Sequence, residues 1–210
     1  MYFILGFISW QIAQASDNII KTGNIEINKQ TKVITIHSRL AIEKGILEYL
    51  LVGDHGKTYE SLFKVADNKP ADLNFALLLI GCEPLDFQKF VKIKQQQNAI
   101  EILKKNHPDS LLNISIVHKA SSINLNKLIK NRETKTNSFT WVYTGGYFLK
   151  DNRYAGDLEL SFIGIWSDQS AVINLCSLLK NPYKGFFGYE TCIKPDNIKI
   201  NEELKLIIQK

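Results

Sequence analysis

The sequence predicts an α+β fold: a mainly antiparallel sheet packed with a buried helix at about 71–80 and a few peripheral helices. Three observations lead there. Apolar and polar residues alternate in Lys32-Val33-Ile34-Thr35-Ile36-His37, the period of a half-buried strand. Leu73 to Ile80 is an apolar run opened by Pro70 and stopped by Gly81, which are start and stop residues of a helix. Strand-like and helix-like segments follow one another irregularly and without an internal repeat, which disfavours a regular βαβ sheet.

The elements follow in order. Gly45 to Val52 reads as a second strand and Thr58 to Phe63 as a third. Between them Gly53-Asp54-His55-Gly56-Lys57 predicts a hairpin, because Asp and Gly tolerate the left-handed angles of a tight connection. The helix after Pro70 is apolar nearly all round, so it is expected deep in the core. Residues 87–107 are polar and helix-prone and stop before Pro108. Leu111 to His118 is a strand, Ile123 to Asn131 a short amphipathic helix, and Phe139 to Tyr143 a strand leading to the Gly145-Gly146 turn. Asp157 to Trp166 reads as a strand, Ser170 to Leu179 as a helix, and Glu203 to Ile208 as the last strand.

With 210 residues, 45% hydrophobic and 22% charged, the chain has the composition of a folded globular domain. No apolar run reaches the roughly 18–20 residues of a membrane-spanning helix. Residues 1–15 are uncharged and end in Ala13-Gln14-Ala15, the small-x-small pattern that precedes signal-peptidase cleavage. A signal peptide over 1–15 is expected; a buried N-terminal strand or helix is the other reading. The net charge of +5 comes from 23 Lys and only 3 Arg. The lysines are scattered, with their densest group at Lys92, Lys94, Lys104 and Lys105, so a solvated surface is expected rather than a nucleic-acid footprint. Three cysteines without a CxxC pair offer no zinc or iron–sulfur ligand set. In an oxidising compartment Cys176 and Cys192 would be able to close a loop and leave Cys82 buried; three free thiols are the other reading.

From Gly45 to Gly81 the residues Gly-Ile-Leu-Glu48-Tyr-Leu-Leu-Val, the Gly-Lys turn, Tyr59-Glu60-Ser61-Leu62-Phe63 and Pro-Ala-Asp72-Leu-Asn74 form a recognisable pattern. It continues in Trp141-Val-Tyr-Thr144-Gly145-Gly146, in Tyr154-Ala155-Gly156-Asp157 and in Asp168 to Leu175. This pattern resembles the YdjY domain family of uncharacterised exported bacterial proteins. The resemblance covers most of residues 31–208 and implies that 87–107 is a helical insertion; with the signal peptide expected at 1–15, residues 16–210 are expected to form a single domain of this kind. It also implies two departures, Asn74 where relatives often carry His and Gly146 where they often carry Ser. Some relatives add a cysteine-rich ferredoxin-type segment, whose cysteines this chain lacks.

Each motif with chemical potential has a plainer explanation beside it. Gly53 to Thr58 looks like a phosphate loop, but the spacing requires Gly at Leu51, and a strand rather than a helix is expected to follow. Ser61-Leu-Phe-Lys64 and Ser177-Leu-Leu-Lys180 match SxxK, yet with 13 Ser and 23 Lys about one match arises by chance, and SDN and KTG are missing. His37, His55, His107 and His118 lie in four separate segments with no ligand spacing; His118 is expected to be a hydrogen-bonded structural residue and His55 to be exposed. The polar candidates that remain are Glu48 and Glu60 on the two arms of the predicted hairpin, Asp72 at the helix entrance and Asp157 beside a glycine. Asp72 suits the positive end of a helix dipole, while Glu60 is a candidate general base if burial raises its pKa. Trp141 and Gly145 are candidates for lining a binding cleft, with core packing the plainer role for Trp141.

The reading is an exported binding or accessory domain without evident catalytic machinery, periplasmic or secreted. Its partner would be an envelope protein or a small ligand; no cofactor, metal or nucleic acid is expected. The alternative is a carboxylate-dependent envelope hydrolase using Glu60, Asp72 or Asp157 around Gly145-Gly146.

Overall fold

The strand predicted at Val33 runs on to Leu40 and pairs along both edges, and that second pairing closes the sheet on itself. A computed structural model of the chain describes residues 18–134, 139–177, 183–193 and 198–210. Its strands are β1 (Ile19–Thr22), β2 (Ile25–Asn28), β3 (Val33–Leu40), β4 (Ile46–Leu47), β5 (Tyr49–Gly53), β6 (Ser61–Val65) and β7 (Leu111–His118). They continue with β8 (Ser121–Ile123), β9 (Ile129–Asn131), β10 (Trp141–Tyr143), β11 (Ser161–Gly164), β12 (Ile173–Leu175), β13 (Tyr189–Thr191) and β14 (Glu203–Gln209). The described helices are α1 (Pro70–Leu79), α2 (Phe87–Lys94), α3 (Ala99–Asn106) and α4 (Ala155–Glu159).

Eight strands form the ring β3-β14-β7-β10-β12-β11-β5-β6, and β6 returns to β3 through the pairs Leu40–Phe63 and Arg39–Lys64. The expected α+β sheet is therefore corrected: the fold is mainly β, a closed eight-stranded barrel with extra strands and short helices. Closure removes the exposed edges that an open sheet would leave. β1 and β2 form a hairpin on the first half of β3, β8 pairs with β7, and β4, β13 and β9 make a separate small sheet. Alternation sets the inner face: Ile34, Ile36 and Leu40 of β3 and Leu204, Leu206 and Ile208 of β14 are buried inside, each worth ~1.5–3 kcal/mol relative to exposure.

Helix α1 begins at Pro70 as expected, but it is not buried all round. Leu73, Ala76 and Leu77 join the core, whereas Phe75 is 52% and Leu78 is 50% exposed. A uniformly apolar helix cannot reveal which side faces the barrel. The polar 87–107 segment forms α2 and α3, which pack Phe90, Ile93 and Leu103 on Val142, away from Trp141 and Tyr143 in the barrel core.

The predicted hairpin is also corrected. β5 and β6 are parallel, with Tyr49 beside Ser61 and Gly53 beside Val65. The connection doubles back: Gly56 N–H bonds the Gly53 carbonyl at 2.9 Å, Glu60 N–H the Lys57 carbonyl at 3.2 Å and Glu48 N–H the Glu60 carbonyl at 2.9 Å. Gly53 to Lys57 do turn the chain, but the connection reverses it twice rather than once. Thr58–Glu60 is a single 3-10 turn before a strand, so no helix N-terminus stands where a phosphate loop needs one. Two predicted helices are strands. Ile173 and Leu175 are buried in the wall through β12, and 123–131 breaks into β8, a short turn and β9. Short apolar runs suit a buried strand and a helix equally, and wall position decided between them. Within the predicted strand 157–166, α4 takes the first residues before Leu160, at φ 54°, turns the chain into β11. The expected signal peptide at 1–15 lies outside the described residues.

Candidate functional site

The double reversal after β5 brings Glu48 and Glu60 together. Glu48 lies in the step between β4 and β5, where its N–H donates to the Glu60 carbonyl and its own carbonyl accepts from Ile165 and Trp166 N–H at 2.8 and 3.0 Å. Glu60 ends the 3-10 turn and is buried. The Tyr183 hydroxyl donates to Glu60 Oε2 at 2.9 Å. Burial first, and then the neighbouring Glu60 charge, push Glu48 above the usual carboxylate range; Lys57 opposes this. Burial and the two glutamates also raise the Tyr183 hydroxyl.

Glu48 borders an open cavity of about 370 Å³ with Tyr49, Phe87, Trp166, Ser167, Asp168 and Gln169. Its floor is rigid. Tyr49 donates its hydroxyl to Asp168 Oδ2 at 2.9 Å, and Asp168 Oδ1 accepts from the Ser170 N–H and hydroxyl at 2.8 and 2.7 Å. Asn174, fully buried on β12, accepts from Asp168 N–H at 2.8 Å and donates to Thr144 Oγ1 at 2.8 Å and to the Asp168 carbonyl at 2.9 Å. A buried amide with its donors and acceptor engaged fixes the loop that carries Trp166 and Asp168. Lys94 of α2 donates to Ser167 Oγ, and Lys57 Nζ sits 5.6 Å above the Tyr49 ring.

The other predicted residues go elsewhere. Asp72 accepts from Lys69 N–H at 2.9 Å and from Asn68 Nδ2 at 3.0 Å, and Asp157 accepts from Ala71 N–H at 2.9 Å. Both carboxylates therefore serve the head of α1, where unpaired N–H groups and the dipole favour them. Trp141 is 2% exposed inside the barrel, stacked on Phe139 at 6.1 Å. Gly145 has φ 78°, and a Cβ there would meet Pro84 Cβ at 2.8 Å, so its glycine is set by backbone conformation and space. Asn74 accepts from the Tyr143 hydroxyl at 2.6 Å. In the structure Cys82, Cys176 and Cys192 are free thiols, Cys176 against α2 and Cys192 beside the Asn126 carbonyl. His118 is a buried structural residue, its Nε2 2.8 Å from Glu202, and His55 is exposed. Among the described residues no three His, Cys, Asp or Glu side chains gather as a metal site.

Sequence reasoning missed Tyr183, Trp166 and Asp168. Tyr49 and Asp168 are 119 positions apart, and Glu60 and Tyr183 are 123 apart, so no local spacing signals either contact. No curated protein and no solved structure matches the chain. Residues 25–173, which carry Glu48, Glu60 and Asp168 but not Tyr183 or β14, match the family model of the YdjY domain, and the chain belongs to that family.

Proposed function

We propose that this YdjY domain is an exported binding or accessory domain, and that it takes a ligand bearing an ammonium group in the cavity beside Glu48. The observation that carries the reading is the lining. Two carboxyl groups, Glu48 and Asp168, and three aromatic rings, Tyr49, Phe87 and Trp166, border one opening of about 370 Å³. A carboxylate beside an aromatic face is the chemistry that recognises an organic cation. The ligand would be a small amine or the lysine side chain of an envelope partner.

Benzylammonium is the probe for calorimetric titration. Wild-type protein should bind it, and Glu48→Gln and Trp166→Ala should each weaken binding about tenfold without lowering the melting temperature. Unchanged binding in both variants refutes the site. For export, protein recovered from its host should begin at Ser16; intact Met1 refutes cleavage there.

A hydrolase remains the second reading because the Glu48–Glu60 pair unites a carboxyl of raised pKa with a neighbour in reach. Of its three proposed carboxylates, Asp72 and Asp157 already hold α1 amides, which leaves Glu60. Glu60→Gln should abolish turnover of a substrate while the fold persists; loss of folding makes Glu60 structural.

A further inference from the structure

On a different wall of the barrel, scattered basic residues converge. We propose that the outer groove across β6, β3 and β14 binds a small, multiply charged oxyanion of the phosphate class. The groove encloses about 530 Å³ and is lined by Asn24, His37, Arg39, Lys64, Lys119 and Lys205, with Asp54 and Glu203 as its acidic members. It forms where β3 changes partners. β3 pairs with β2 over Val33–Ile36 and with β6 at Arg39 and Leu40. Asn24 joins the two edges, its side chain donating to the Ala66 carbonyl at 2.8 Å and its N–H to Asn68 Oδ1 at 2.7 Å, while its carbonyl accepts from His37 N–H at 2.9 Å.

Like charges face one another across the groove. Arg39 and Lys64 are direct cross-strand partners, and like charges in that position repel. Glu203, the partner of Arg39 on the other side, gives only a 3.4 Å contact with an 82% exposed side chain. A contact of that kind contributes little. Lys205 lies opposite His37 and Val117. Among the described residues neither Lys64 nor Lys205 has a carboxylate within 4.0 Å, and Lys119 reaches out of the groove to Glu202 at 2.8 Å. A phosphate oxyanion relieves the Arg39–Lys64 repulsion and offers a pair of oxygens that the planar guanidinium fork binds in two-point fashion. The concave shape fits a free anion rather than a flat membrane surface.

The test is titration of the full chain with inorganic pyrophosphate at an ionic strength of about 0.01 M, followed by amide NMR and calorimetry. The amides of Arg39, Lys64 and Lys205 should shift. Lys64→Gln and Lys205→Gln should each weaken binding about tenfold with unchanged melting temperature. Lys104→Gln with Lys105→Gln, on α3, and Glu48→Gln should leave it intact, which separates this site from the proposed ammonium cavity. The proposal is overturned by an absence of binding, by shifts confined to other residues, or by equal weakening in the α3 variant. It is also overturned if the protein binds phosphatidylglycerol vesicles in a way that free pyrophosphate does not compete with.

Discussion

Gly146 offers a sharp test of the barrel's packing. Its φ is 61°, a left-handed angle that costs an alanine ~1 kcal/mol. A Cβ there would lie 2.5 Å from Tyr154 Oη, 2.9 Å from Tyr154 Cζ and 3.1 Å from the Ser170 carbonyl. The carbonyl is backbone and does not yield, so the ring of Tyr154 has to move. Moving it breaks the 2.6 Å bond from its hydroxyl to the Gly145 carbonyl, worth ~1 kcal/mol net, and disturbs a buried ring, for which overpacking costs ~1–3 kcal/mol. Gly146→Ala should therefore destabilise the protein by about 3–5 kcal/mol in urea unfolding followed by circular dichroism, a large share of the ~5–15 kcal/mol typical of a domain. In a Tyr154→Phe background the nearest atom and the hydrogen bond are both gone, and the same substitution should cost ~1–2 kcal/mol less. A cost below ~1 kcal/mol, or an equal cost in both backgrounds, refutes the reasoning. Gly146→Ser should behave in the same way, which makes Tyr154 the residue that excludes serine from this position.

Three further predictions follow from the same geometry. Glu48 is held above its usual range by burial and by Glu60, so the stability it contributes is complete below its unfolded-state pKa of ~4.3 and is lost as pH rises through the folded value. Glu202 has the opposite sign, held down at about 2 by Lys119, the Lys199 N–H and His118, and its contribution is lost as pH falls towards 2. The difference in unfolding free energy between wild type and Glu48→Gln isolates the first effect: the variant should gain relative to wild type as pH rises from ~4 to 8, and parallel profiles refute it. Asp72→Ala and Asp157→Ala should each cost ~1 kcal/mol in urea unfolding, since each removes an acceptor at the head of α1; no loss in either refutes the capping role. In native protein Cys82, buried with its thiol pushed up to about 11, should alkylate more slowly than Cys176 and Cys192, and all three should alkylate after unfolding without reductant. A mass two hydrogens short, with Cys176 and Cys192 unlabelled, refutes the free thiols.

The candidate site was half legible. Glu48 and Glu60 stood out because each is a carboxylate embedded in an apolar strand-like run. A hairpin would have placed them on facing arms; the double-reversed connection places them side by side on parallel strands' near ends. Asp72 was recognised through the helix start at Pro70, since capping is local chemistry within one turn. Asp157 was not, because its partner Ala71 is 86 positions away. Along the chain the groove cations are scattered: Arg39, Lys64, Lys119 and Lys205 become neighbours only through the pairings of β6, β3, β14 and β7.

By itself the sequence determined what depends on near neighbours: the alternation of β3, β7 and β14, the start of α1 at Pro70, the helical character of 87–107 and the family pattern around Glu48. Tertiary structure alone decided that Leu40 meets Phe63 and closes the barrel, that Ile173 to Leu175 extend rather than coil, and which side of α1 meets the core. The reason is one of range. Capping and periodicity act within a turn or two of the chain, whereas ring closure and the gathering of like charges depend on strand partners tens to hundreds of residues apart, whose identity no short window contains.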